Sequence, residues 1–147
     1  MAKSELIIIL VILIVVVAGS VTAYVFLAQL GSSGFNGKDL YVGEYGFGST
    51  SSVTSPGLTL TFTMGQTVTL TLHNIGEKAH NWAIVDAKSP TAIVLWNSQI
   101  ANASNPVAPD DSASVTFTVD NAGSYYYISQ VGDDVSLGIW GVVTVNP

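Results

Sequence analysis

The sequence predicts an all-β, Greek-key β-sandwich preceded by one N-terminal transmembrane α-helix. Three observations carry this reading: a long uncharged apolar run near the N-terminus, a series of short stretches with period-two alternation after it, and no helix-period apolar stripe in the remainder. Only four of the 147 residues are Lys, ten are Asp or Glu, and the net charge is −6. Binding by phosphate neutralisation has no electrostatic basis in such a chain, so nucleic acid is not expected as a partner. Cys is absent. That excludes disulfides, thiolate nucleophiles and every thiolate-ligated metal centre.

Residues 1–5 form a short N-terminus expected on the cytoplasmic side. Leu6 to Leu30 follows without a charge, and roughly 20 apolar residues suffice to cross the hydrocarbon core as a helix. A cleaved signal peptide competes, because Val21-Thr22-Ala23 resembles a small-residue cleavage site, but its apolar region would be about twice the usual length. A filament subunit of the pilin kind also begins with an apolar helix, and Glu5 fits its early acidic position. No prepilin processing site precedes the helix. Lys3 and the amino terminus before the helix, against Lys38 beyond it, favour an inside N-terminus and an outward-facing domain. The expected location is the cell membrane, single-pass, with lipid as one partner.

Residues 31–37, GSSGFNG, read as a short flexible linker. Within residues 38–147 strands are expected at Leu40–Phe47, Leu58–Thr63, Thr67–Leu72, Asn81–Val85, Ser114–Val119, Ser124–Ser129 and Trp140–Val145. In TVTLTL, Val68, Leu70 and Leu72 face one way and three threonines the other. SVTFTV repeats this with Val115, Phe117 and Val119. The stretch from Lys88 to Ser112, with Pro90, Pro106 and Pro109, is irregular, with a short strand or helical turn near Ile93–Trp96.

Two segments carry a family resemblance. HNIGEKAHNWAIVD, containing His80, resembles the turn and strand that present the first ligand histidine of the blue-copper proteins, the cupredoxins. GSYYYISQVGDDVSLGIWGVVTV resembles their last hairpin, whose ligands are spaced Cys-x4-His-x4-Met. In this chain those positions hold Ser129, Asp134 and Ile139. The resemblance implies a cupredoxin-like domain over 38–147 with vestigial ligand positions His80, Ser129, Asp134 and Ile139. One ligand of four is kept, and neither a metal nor another cofactor is expected, since a soft copper site needs a thiolate and imidazoles. A lone His80 is expected to hydrogen-bond Ser129, Asp134 or backbone. The weaker competing reading joins it to Asp133 and Asp134 as an N/O site for zinc or Cu(II).

A single membrane helix before a cupredoxin domain is also the layout of subunit II of haem–copper oxidases. The dinuclear copper centre of that family would need one Cys at Ser129 and another near Asp133, so it is missing as well. The resemblance implies a copper-free, non-catalytic subunit of a quinol oxidase, with haem-bearing membrane subunits as partners. Alternatives are a membrane-tethered copper carrier with an atypical site and a surface or filament scaffold. Other residues point less far. His73 reads as exposed and structural, Asp110-Asp111 and Asp133-Asp134 as solvated turn acids, Trp82 and Trp140 as packing, with Trp96 open between packing and a platform. Asn102-Ala103-Ser104 is an N-glycosylation acceptor pattern.

Overall fold

The computed structural model describes residues 38–147. The membrane helix expected at 6–30 and the linker at 31–37 lie outside the described residues, and among those described no helix is long and apolar enough to cross a membrane.

Alternating apolar residues produce strands that can each bury one face, and two such sheets stack. The strands are β1 (Asp39–Gly43), β2 (Gly46–Gly48), β3 (Leu60–Thr63), β4 (Thr67–Asn74), β5 (Ala83–Val85), β6 (Ser112–Thr118), β7 (Gly123–Ile128) and β8 (Trp140–Asn146). A one-turn helix, α1 (Asp134–Leu137), lies between β7 and β8. One sheet has the order β2-β1-β4-β6 and the other β3-β8-β7-β5. Both are mixed, because β1 pairs with β4 and β3 with β8 in parallel, while the remaining pairs are antiparallel.

The burial pattern follows the alternation. Val68, Leu70 and Leu72 of β4 are buried, and Phe117 of β6 joins them. On the outer face three hydroxyl pairs bridge the same strands: Thr67 with Thr118 (3.0 Å), Thr69 with Thr116 (2.9 Å) and Thr71 with Ser114 (2.8 Å). Between the sheets Trp82, Tyr127, Phe47 and Phe62 pack with Leu40, Leu60 and Ile84, each such side chain contributing about 1.5–3 kcal/mol by leaving water. Tyr127 is the centre of this packing. Its ring meets Phe47 edge-on at 5.0 Å, its hydroxyl donates to Leu58 O at 2.6 Å, and burial pushes its phenol well above the ordinary range. Gly141 runs flat against the ring, where a Cβ would collide with it.

Some expected elements change. Leu40–Phe47 is two strands rather than one, because Glu44 and Tyr45 form a tight turn that pairs Gly43 with Gly46. The β-favouring residues on both sides read as one run, and Gly43 and Gly46, which bracket the turn, are its local signal. Near Ile93–Trp96 the chain makes a single bridge, Val94 to Val85, and then a turn closed by Ser98 N donating to Leu95 O at 3.0 Å. Trp96 and Asn97 occupy its centre with φ of 54° and 52°, the double left-handed geometry of a type I′ turn. Neither residue is glycine, so the sequence carries no obvious signal for it.

Candidate functional site

The four vestigial positions do converge. His80 enters from the β4–β5 connection, Ser129 directly follows β7, Asp134 opens α1, and Ile139 immediately precedes β8. All are buried, with His80 1%, Ser129 0%, Asp134 6% and Ile139 0% exposed.

The approach of His80 is fixed by its backbone. His80 N donates to Val107 O at 3.1 Å and Val107 N returns to His80 O at 2.8 Å. The turn before it is braced by Asn74, whose amide donates to Lys78 O (2.7 Å) and Val107 O (2.9 Å) and accepts from Gly76 N (2.9 Å). Glu44 reaches over from the β1–β2 turn and accepts from Glu77 N at 2.7 Å and Lys78 N at 2.8 Å. A buried amide satisfied on both ends in this way holds a loop as firmly as a ladder would.

At the centre His80 Nδ1 lies 2.7 Å from Asp134 Oδ2, and Ser129 Oγ donates to the same oxygen at 2.5 Å. Asn81 completes the set: its N–H donates to Ser129 Oγ at 3.2 Å and its side-chain oxygen accepts from Gln130 N at 2.5 Å. Ile139 closes the floor through its backbone, with N donating to Asp134 O at 2.9 Å and O accepting from Ser129 N at 3.1 Å. Asp134 is therefore no solvated turn acid. Its carboxylate is turned inward, where two donors offset the loss of water. Asp133, its neighbour, remains exposed, which also corrects the expectation that the two act alike.

Does this donor set suit copper? Ser129 offers a hydroxyl where a thiolate is needed, Ile139 offers hydrocarbon, and Asp134 already serves Ser129 and His80. The remaining ring nitrogen, His80 Nε2, has no hydrogen-bond partner among the described residues, and the carboxylate it faces is Glu44 Oε1 at 3.9 Å. Among the described residues no group of three His, Cys, Asp or Glu side chains could hold a metal ion. The residues do not fit a blue-copper centre.

The other candidates lie apart. His73, next to the last residue of β4, is half-buried rather than fully exposed, stacked on Tyr41 at 4.9 Å and bonded to Asp39 at 2.8 Å. Trp82 is wholly buried. Trp140 packs edge-on against Tyr126 and carries Lys88 Nζ 4.0 Å above its ring, beside a surface cleft of about 400 Å³ reaching Asp133 and Val135 of the α1 segment. Asn74, Asn81 and Glu44 were not singled out by sequence reasoning. The two asparagines sit beside the histidines in HN pairs, a signal that reads equally well as turn chemistry.

No protein-family model matches the chain, and no curated protein sequence matches it. Solved structures do. Na-dithionite-reduced auracyanin from the photosynthetic bacterium Roseiflexus castenholzii is 22% identical, with a TM-score of 0.57 over 74% of this chain and 95% of that one. Reduced rusticyanin is 20% identical, with a TM-score of 0.53 over 76% of this chain and 82% of its own. A blue copper oxidase from Nitrosomonas europaea is 21% identical with a TM-score of 0.56, and the match spans 38% of that longer chain. Two mixed four-stranded sheets, a histidine before β5 and a ligand-loop equivalent between β7 and β8 make the fold of residues 38–147 that of the cupredoxins.

Proposed function

We propose that this chain is a copper-free, non-catalytic cupredoxin-like membrane subunit of a respiratory electron-transfer complex, the subunit II-like part of a haem–copper quinol oxidase. The observation that carries the reading is the closed His80–Asp134–Ser129 set. Positions that would converge on a metal in the blue-copper pattern bond to one another instead, and Ile139 fills the place of a soft ligand. A fold kept while its redox centre is replaced by internal hydrogen bonds suits a structural subunit, in which a lipid-soluble donor delivers electrons directly to a haem-bearing neighbour. The apolar run at 6–30 supports single-pass anchoring with the domain on the outer face. The cleft beside α1 supports a docking face at the vestigial end.

Purification of the full chain in mild detergent, with mass spectrometry of co-purifying proteins, metal analysis and a haem spectrum, tests this. Stoichiometric haem-bearing partners and no copper on this subunit are expected. A lone chain carrying copper would replace the reading with a tethered electron carrier of atypical site. A lone chain without metal would favour a surface scaffold.

A further inference from the structure

The sandwich has four sheet edges, and they are not equally protected. β2 is three residues long and is bridged by Thr54 through Phe47. β5, also three residues, is flanked by the returning chain through Val94 and by the Trp82–Ile100 bridge. β3 has four residues. β6 alone is long, with seven residues from Ser112 to Thr118, and it holds no charge, no Pro and no Gly. Natural edges are usually blunted by such residues or covered.

The direction of its unused groups follows from the ladder. Val119 N donates to Gln66 O at 3.0 Å and Asn74 N to Asp111 O at 3.0 Å, so the odd-numbered residues direct their backbone toward β4. By the alternation of an antiparallel pair, the N–H and C=O groups of Ser112, Ser114, Thr116 and Thr118 point away from it. The threonine and serine hydroxyls on the outer face are engaged with β4, but these main-chain groups have no backbone partner among the described residues. Beside Thr116 and Thr118 lies a cleft of about 350 Å³ whose far wall is Trp96 and Asn97, with Asp120 at one end. Trp96 is fixed there by two means: the strained left-handed turn and edge-on packing against Tyr125 at 4.9 Å. Non-glycine residues held in this conformation are strained and cluster at functional sites. Acidic residues bracket the open edge, Asp110 and Asp111 before it and Asp120 after it.

We propose that β6 receives an extended segment of a cationic partner protein, which adds a strand to the sheet, seats a side chain against Trp96 and meets Asp120 and Asp110–Asp111 with basic residues at its ends. Main-chain hydrogen bonds supply affinity and the cleft supplies selectivity, as in other strand-addition sites. A second copy of this chain is the less favoured occupant, because antiparallel pairing centred on Val115 sets Asp120 of one copy opposite Asp110 of the other, and like charges facing across a ladder oppose pairing.

The test is hydrogen exchange on the full chain in detergent, with a short synthetic peptide of alternating Thr and Val flanked by lysines, and a glutamate-flanked control. The free protein is expected to exchange the amides of Ser114, Thr116 and Thr118 rapidly and those of Val115 and Phe117 slowly. Lysine-flanked peptide at ten times its Kd should slow the outward amides about tenfold and shift Trp96 fluorescence, with little effect from the control. Thr116→Pro, which removes one outward donor, should abolish this protection. Asp120→Asn, a surface change that leaves the ladder intact, should reduce the preference for lysine over glutamate, and Asp110→Asn with Asp111→Asn added should erase it. No protection by the lysine peptide, equal protection by both peptides, outward amides already slow in the free chain, or protection that rises with the protein's own concentration would each overturn the proposal.

Discussion

Asp134 carries more of the vestigial site than any other residue. It is the shared acceptor for His80 and Ser129; its removal leaves His80 Nδ1 without its buried acceptor, while Ser129 keeps Asn81 as a partner. Asp134→Ala is expected to destabilise the domain by about 2 kcal/mol, the cost of leaving a buried hydrogen-bonding group without its partner, read as a lowered urea midpoint with unchanged slope. Tyr127 makes a prediction of a different kind. Burial holds its phenol protonated, whereas in the unfolded chain it ionises near its ordinary value of about 10. Its raised value therefore contributes stability that is fully present below about pH 10 and is lost as pH rises beyond it. In Tyr127→Phe that alkaline loss should shrink, while stability at neutral pH falls by about 1 kcal/mol for the bond to Leu58 O. Denaturation midpoints at neutral and alkaline pH, compared between the two proteins, check both statements. At this scale the sequence was partly legible. His80 stood out because AHNWAIV matches the segment that presents the first ligand histidine, and Ile139 because a hydrophobe stood at a ligand position. Asp134 did not, since an Asp in a GDD turn gives no local sign of whether its carboxylate turns in or out.

Among the elements, the β7–α1–β8 connection decides whether the four positions meet. Its single helical turn ends at Gly138, with φ 95°, whose N–H bonds Val135 O and whose carbonyl accepts from Ser55 Oγ at 3.1 Å. Gly138→Ala forces a Cβ into the left-handed region and against the Ser55 side chain, and should cost about 1–2 kcal/mol. The loss should appear in thermal unfolding and as faster exchange of the Ile139 amide, which bonds Asp134 O. Strands β4, β6 and β8 were readable in sequence because each alternates over six or more residues, and β7 because it is rich in β-favouring aromatic residues. The β1–β2 turn and the Leu95–Ser98 turn were not. In the first, β-favouring residues on both sides of Gly43 and Gly46 read as one run, and in the second tertiary packing holds Trp96 and Asn97 where local preference would place Gly or Asn-Gly.

For the whole molecule, the assignment of ligand positions can be tested by rebuilding them. The triple variant S129C, D134H, I139M restores a thiolate, a second imidazole and a thioether around His80, and should bind copper with an intense visible absorption band absent from the parent chain. Copper should raise the variant's stability by about 2.7 kcal/mol at a hundred times its Kd and leave the parent unchanged. A variant that folds but stays colourless would mean that the spacing match does not place these residues around one point. The sequence by itself determined the sandwich and the exclusion of thiolate chemistry, because strand periodicity belongs to consecutive residues and a missing residue type is missing wherever the chain goes. The tertiary structure decided that Asp134 faces inward, that Asn74 and Glu44 brace the His80 turn, and that β6 is the long uncovered edge. Each of these depends on which distant segments lie side by side, and packing across the sandwich sets that, whereas local pattern does not.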